Sequence, residues 1–238
     1  MNNREKDKII DFQEFLDYKF RNEDLLKQAL TTPLLGNEKK IPHYDVLETL
    51  GDAVIKLALI LKLFDMGIQD PGKITKTKAM LENDEILSFI ANKYFYLQNY
   101  IYKTKEQEIE DTKILADVIE AVSGALYLDS NLDIKLVVKK IIDPFYKDMD
   151  KIIENSSIFN KNKLLEYIQK DHKITPKLLL KYESSGPDHN PLWIAKNPKF
   201  ENVSIDLPKN LKSKKANSKK EAELDLYLKI LKFLKENP

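Results

Sequence analysis

Cysteine is absent from the 238 residues, which excludes disulfides, thiolate metal sites and cysteine nucleophiles together. Glycine and proline are few, at 6 and 10 residues, leaving little room for low-complexity sequence. No run approaches the about 18 apolar residues that would suggest a membrane span, and the opening MNNREKDKIIDFQEF lacks the apolar centre of a signal peptide. A soluble, cytoplasmic protein without a membrane partner is expected. What is present, 42% hydrophobic and 32% charged residues, suits a globular chain long enough for two domains.

The net charge of +1 conceals an asymmetry. Residues 160–238 carry 17 lysines against 10 acids, a surplus of +7, whereas the preceding residues carry 22 basic and 28 acidic groups, a deficit of 6. A basic C-terminal part points to a polyanion partner, and an acidic N-terminal part is a natural place for metal-binding carboxylates. Apolar residues recur every three or four positions over 9–16, 22–30, 45–64, 73–93, 112–127 and 133–146, with Pro33, Pro42 and Pro71 in the gaps, so an all-α domain is predicted over 1–150. Amphipathic strength fades over 151–160, the expected linker. Beyond it a short helix near 161–170, three strand candidates (PKLLLKYES, PLWIAKN, FENVSIDL) and a helix over 218–234 predict an α-β-β-β-α domain at 161–238. No internal repeat is evident.

Two of the most apolar helices carry acids. In HYDVLETLGDAV, Asp45, Glu48 and Asp52 fall within roughly 60° of one another around a helix. Val46, Leu47, Leu50, Ala53, Val54, Leu57 and Leu61 are expected on the opposite, packed side, with Gly51 tolerated if another backbone comes close. In ILADVIEAVSGALYLD, Asp117 and Glu120 share a face while Ala116, Ala121, Gly124 and Ala125 offer a small-residue surface. Like charges at such spacing repel, and a hard divalent cation is the natural neutraliser of carboxylates drawn together from two packed helices. Asp129 is read as the end of its helix, Glu82, Asp84 and Glu85 as a solvent-facing cluster, His43 as a structural loop residue, Ser123 as packing and Trp193 as core.

HYDVLETLGDAV resembles the N-E-x-L-E-F-L-G-D-A signature of the ribonuclease III family, and ADVIEAVSGALYLD resembles the family's second acidic helix. YKFRNEDLLKQALTTP is similar to its F-x-x-x-x-L-L-x-x-A-L-T-H-x-S region, with Thr32 where His is usual. NKLLEYIQK, GPDHN and SKKEAELDLYLKIL resemble a double-stranded RNA-binding domain. The resemblance implies a multidomain chain, an all-α ribonuclease III endonuclease domain followed by an α+β double-stranded RNA-binding domain. It implies hydrolysis of double-stranded RNA to 5′-phosphate and 3′-hydroxyl ends, by a homodimer joined through the catalytic domain that cuts opposite strands. Glu48, Asp52, Asp117 and Glu120 would form the catalytic site, with Glu48 and Glu120 as principal ligands of Mg2+, or of Mn2+ as the alternative. Asp45 matches an outer acidic position that contacts substrate, Pro71 stands where the family has a loop acid, with Asp70 beside it, and Thr49 replaces the usual Phe. RNA contacts would come from Glu166 and Gln169 on the first helix of the second domain, His189 in its loop, and Lys219 and Lys220. Those lysines also open a helix whose N–H groups and dipole favour phosphate. A catalytically silent RNA-binding relative of the same fold is the competing expectation.

Overall fold

Asn22, Thr32, Asn83, Asp133, Ser156 and Ser218 each accept a hydrogen bond from a backbone N–H two or three residues onward, and each starts a helix. These side chains satisfy donors that a helix N-terminus would otherwise leave unpaired. The computed structural model describes residues 3–109, 112–187 and 191–237, and the chain divides into two units, Met1–Met149 and Asp150–Pro238. The first contains α1 (Asn3–Leu16), α2 (Glu23–Ala29), α3 (Pro33–Lys39), α4 (Asp45–Asp65), α5 (Pro71–Leu81), α6 (Asp84–Phe95), α7 (Ile114–Asp129), α8 (Ile134–Val137), a π-turn (Val138–Ile142) and α9 (Asp143–Tyr146).

α7 is buried nearly all round, as a helix apolar on every side must be, and α4 packs along it. The face α4 buries differs from the one expected. Leu47, Gly51, Val54, Ile55, Ala58, Leu59 and Leu63 are buried, whereas Val46 and Leu57 are 74% and 45% exposed. The buried arc is therefore centred on Gly51, where the helices can approach, and the acidic stripe borders this arc instead of opposing it. Two expected helices are also interrupted. Asn83 caps α6 by accepting from the N–H groups of Glu85 and Ile86, which ends α5 and divides the 73–93 segment. The 133–146 segment widens into the π-turn just ahead of Pro144, whose ring would collide with the carbonyl four residues back in a regular α-helix.

Asp129, at the end of α7, is buried and accepts from the Tyr18 hydroxyl at 2.8 Å and from the N–H groups of Arg21 and Asn22 at 2.9 and 2.8 Å. One carboxylate thus secures the chain between α1 and α2. Asp129→Ala strands all three donors and is expected to lower stability by about 2–4 kcal/mol. Urea unfolding followed by circular dichroism measures this; an unchanged midpoint would refute the clasp.

The second unit includes α10 (Met149–Glu154), most of which falls in it, then α11 (Ser157–His172), β1 (Leu178–Ser185), β2 (Leu192–Phe200) and α12 (Lys219–Glu236). β1 and β2 run antiparallel from Leu178 opposite Phe200 to Ser185 opposite Leu192. Leu164 and Ile168 of α11 and Ala222, Leu226, Tyr227, Ile230 and Leu231 of α12 join Ala195 and Phe200 in one core. Among the described residues the third expected strand is not formed at FENVSIDL, so the α-β-β-β-α order is corrected to two strands. Val203, Ile205 and Leu207 pack half-buried against the core; the period of two in that segment reports a covered face without a backbone ladder. Partial pairing with β2 falls later, at isolated bridges from Lys196 to Lys212 and from Trp193 to Ala216. Between them the Ser213 hydroxyl accepts from the Ala195 N–H at 2.9 Å, a side-chain substitute for the carbonyl a ladder would use.

Candidate functional site

The contact of α4 with α7 is backbone on backbone. A Cβ on Gly51 would stand 1.7 Å from the Glu120 carbonyl oxygen, and one on Gly124 would stand 2.5 Å from the Leu47 carbonyl oxygen. With the helices this close, Glu48 of α4 and Asp117 and Glu120 of α7 bring carboxylate oxygens within 4.8 Å of one another. Asp117 is buried, and Glu48 and Glu120 are partly so.

Three negative groups in so small a space distort one another's titration. Burial first, then the charges of Asp52, Glu48 and Asp117, push the Glu120 carboxyl up to about 8. Burial and the Asp117 charge also raise Glu48. Asp117 is raised by burial, opposed by a hydrogen bond donated from the Tyr44 hydroxyl at 3.0 Å and by the Lys113 ammonium at 3.3 Å. Hard oxygen donors that repel one another and resist ionising together are a donor set for a hard divalent cation. The residues therefore fit the metal that the sequence motif implied.

Asp52 stands apart from that trio. Its Oδ2 accepts from the Lys56 ammonium at 2.7 Å, and Lys56 also lies 3.4 Å from Glu82, which pairs in turn with Lys78 at 2.7 Å. The hydrogen bond to Asp52 raises the Lys56 pKa against the effect of burial. Asp45 is exposed, its carboxylate 3.6 Å from His43 Nδ1. The His43 ring lies against Gly36, and its carbonyl accepts from Gln28. Asp70 is occupied at the start of α5, accepting from the Gly72 N–H at 2.9 Å. Ser123 donates to the Ile119 carbonyl within α7, and exposed Thr49 donates to that of Asp45.

In the second unit, Glu166 and Gln169 are exposed on α11, on the side away from buried Leu164 and Ile168. Lys219 and Lys220 are exposed in the first turn of α12. The Lys219 ammonium stands 4.4 Å from the Trp193 ring centroid, so the half-buried Trp193 serves both the core and this lysine. His189, expected in the loop, lies outside the described residues.

Several residues at the site escaped the sequence reading. Lys113 and Lys56 each sit one helical turn from an acid they pair with, Asp117 and Asp52, and an i,i+4 search for opposite charge would have found both. Glu82 and Asp84 are exposed, as expected; in addition Glu82 is tied to Lys56 and the charge of Asp84 acts on Asp117 and Glu120. Tyr44 left no signal, because its role depends on a partner 73 residues away.

A sequence profile of the Ribonuclease III domain matches residues 45–131, the span that holds all four principal acids. Ribonuclease 3 of Clostridium botulinum (strain Alaska E43 / Type E3) is 35% identical over 238 residues, covering 97% of each chain. Ribonuclease 3 of Clostridium tetani is 37% identical over 188 residues, covering 75% of this chain and 77% of that one. The crystal structure of the nuclease domain of ribonuclease III from Campylobacter jejuni aligns with a TM-score of 0.50 at 30% identity, covering 62% of this chain and 97% of that one. With near full-length identity of this order, the chain belongs to the ribonuclease III family.

Proposed function

We propose that this chain, a double-stranded RNA endonuclease by family, cuts its substrate at the Glu48, Asp117 and Glu120 cluster with Mg2+ as the working cation and Mn2+ as the alternative. The convergence of those three carboxylates at the α4/α7 crossing carries the reading. Bound there, the cation would lower the pKa of a coordinated water and stabilise charge on the leaving 3′ oxygen. The protein's own part is positional. Glu48 and Glu120 are the principal ligands, Tyr44 and Lys113 fix the Asp117 carboxylate, and Asp52 completes the set. Asp45, exposed at the start of α4, faces substrate. Products carry 5′-phosphate and 3′-hydroxyl ends. Intact acids at all four principal positions weigh against the silent RNA-binding alternative. End-mapping on a defined duplex tests the assignment: cuts with those termini should appear only with the cation, and cation-independent cutting or cyclic phosphate ends would refute it.

The remaining assignments belong to the same proposal. Residues 1–150 are the catalytic domain, 151–160 the connection and 161–238 a double-stranded RNA-binding domain. The exposed apolar residues Val46, Leu57 and Phe64 lie along one side of α4 and support a homodimer through the catalytic domain, where the small Thr49 replaces Phe. No helix among the described residues is long and apolar enough to cross a membrane, and a cytoplasmic setting suits an RNA substrate.

A duplex RNA hides its base edges in a deep groove, so it is held through phosphates and 2′-hydroxyls. Glu166, Gln169 and His189 are assigned to the minor groove, and Lys219 and Lys220 to phosphate. Replacing both lysines by Ala is expected to weaken duplex binding about tenfold and to reduce the log–log salt slope by about one to two. Fluorescence anisotropy across a salt series measures both; an unchanged slope would remove the lysines from the RNA interface.

A further inference from the structure

A lysine beside a metal-binding carboxylate cluster works against the metal. Lys56 is such a residue, one turn after Asp52 on α4, partly buried, with its ammonium 2.7 Å from Asp52 Oδ2 and 3.4 Å from Glu82 Oε1. Lys78 holds the same Glu82 oxygen at 2.7 Å, so Glu82 is shared between two cations and Lys56 has its shorter contact with Asp52. Glu48, Asp117 and Glu120 share a space no wider than 4.8 Å, and Asp52 is not part of that group. One aspartate of the α4 stripe is therefore neutralised by the protein itself, while its neighbour Glu48 is left for the cluster.

We propose that Lys56 is a positioning residue that sets the divalent-metal requirement of this enzyme, holding Asp52 in an ion pair that must be exchanged before that carboxylate serves the metal. The inference rests on the metal assignment made above for the cluster. Two effects act in the same direction. The ammonium occupies a ligand oxygen, and its charge repels an incoming dication. Lys56 also joins α4 to the α5/α6 junction through Glu82, so a purely structural role would make its removal destabilising without strengthening metal binding. The two roles differ in sign at the metal.

The test is calorimetric titration of the full-length, RNA-free chain with Mn2+. Lys56→Met is expected to bind Mn2+ about fivefold more tightly than the wild-type chain, the order expected for release of one partly exposed ion pair. Lys56→Arg should restore affinity to within about twofold of wild type, and Lys78→Met, which removes a nearby charge without touching Asp52, should leave it there also. Lys56→Gln keeps the length and polarity of the side chain and replaces the methionine variant if that folds poorly. In a cleavage assay the cation concentration at half-maximal rate should fall by the same factor. Equal or weaker Mn2+ binding by the charge-removing variant, Lys56→Met or its stand-in Lys56→Gln, would overturn the proposal. Glu120→Gln in the same titration separates this failure from that of the cluster: undiminished Mn2+ binding there would mean that the metal site itself is misassigned.

Discussion

Glu120→Gln is expected to lower duplex cleavage by about a thousandfold or more, while duplex affinity in chelator stays within about twofold. Glutamine fills the same volume, so the α4/α7 packing survives, but it takes away an anionic oxygen from a set of three. The substitution also mimics the protonated carboxyl that burial and the neighbouring acids favour in the metal-free protein, where the pKa rises from 4.5 to about 8. Between those values the folded chain holds a proton that the unfolded chain has released. The contribution to stability is therefore complete below about 4.5, declines as pH rises toward 8 and is level above. In chelator, the wild-type melting temperature should fall more steeply than that of Glu120→Gln over this window. Cation binding should strengthen over the same range, because the metal displaces that proton. A variant that melts with the wild-type pH slope would show that Glu120 is not the group responsible. Loss of duplex affinity along with cleavage would show that binding and chemistry are not divided between the two units as proposed.

Much of the site could be read in the sequence because it depends on helical spacing. Asp117 and Glu120, three residues apart, had to share a face of α7, and the same periodicity put Glu48 beside Asp45 and Asp52. The glycine in LETLGDA was legible for a related reason, since a residue unfavourable inside a helix needs a compensating contact. What spacing could not reveal is which part of an amphipathic stripe meets the neighbour. Val46 and Leu57 are as apolar as Leu47 and Val54, yet they are exposed because the arc around Gly51 was chosen by the approach of α7. The Asp52–Lys56 pair was available from local sequence but was overlooked in favour of like-charge repulsion. Tyr44 was not available, because its partner is distant in sequence. The third strand failed for another reason. Alternation in FENVSIDL records which side chains are covered, and only the backbone partners decide whether a covered segment becomes part of a sheet.

Gly51→Ala should produce the largest loss of stability among single-methyl changes in this chain, about 3–5 kcal/mol, despite replacing the poorer helix former by the best one. In an unobstructed helix that exchange stabilises by about 1 kcal/mol, so the sign alone is informative. The added Cβ would stand 1.7 Å from the Glu120 carbonyl oxygen and 2.4 Å from its carbonyl carbon. Both are backbone atoms, which cannot rotate away as a side-chain end could. Relief requires α4 and α7 to separate along their contact, opening voids around Leu47, Val54, Val122 and Leu126, all buried. The same separation moves Glu48 away from Asp117 and Glu120, so the fraction that still folds should bind Mn2+ weakly even though every carboxylate remains. Gly124→Ala meets the Leu47 carbonyl at 2.5 Å and should follow with a smaller loss. Gly67→Ala has open space and only an unfavourable φ of +74°, which costs about 1–2 kcal/mol. Urea unfolding by circular dichroism should rank the three in that order. A Gly51→Ala midpoint at or above that of wild type would mean that the helices have room to spare, and that the carboxylates are not brought together by this crossing.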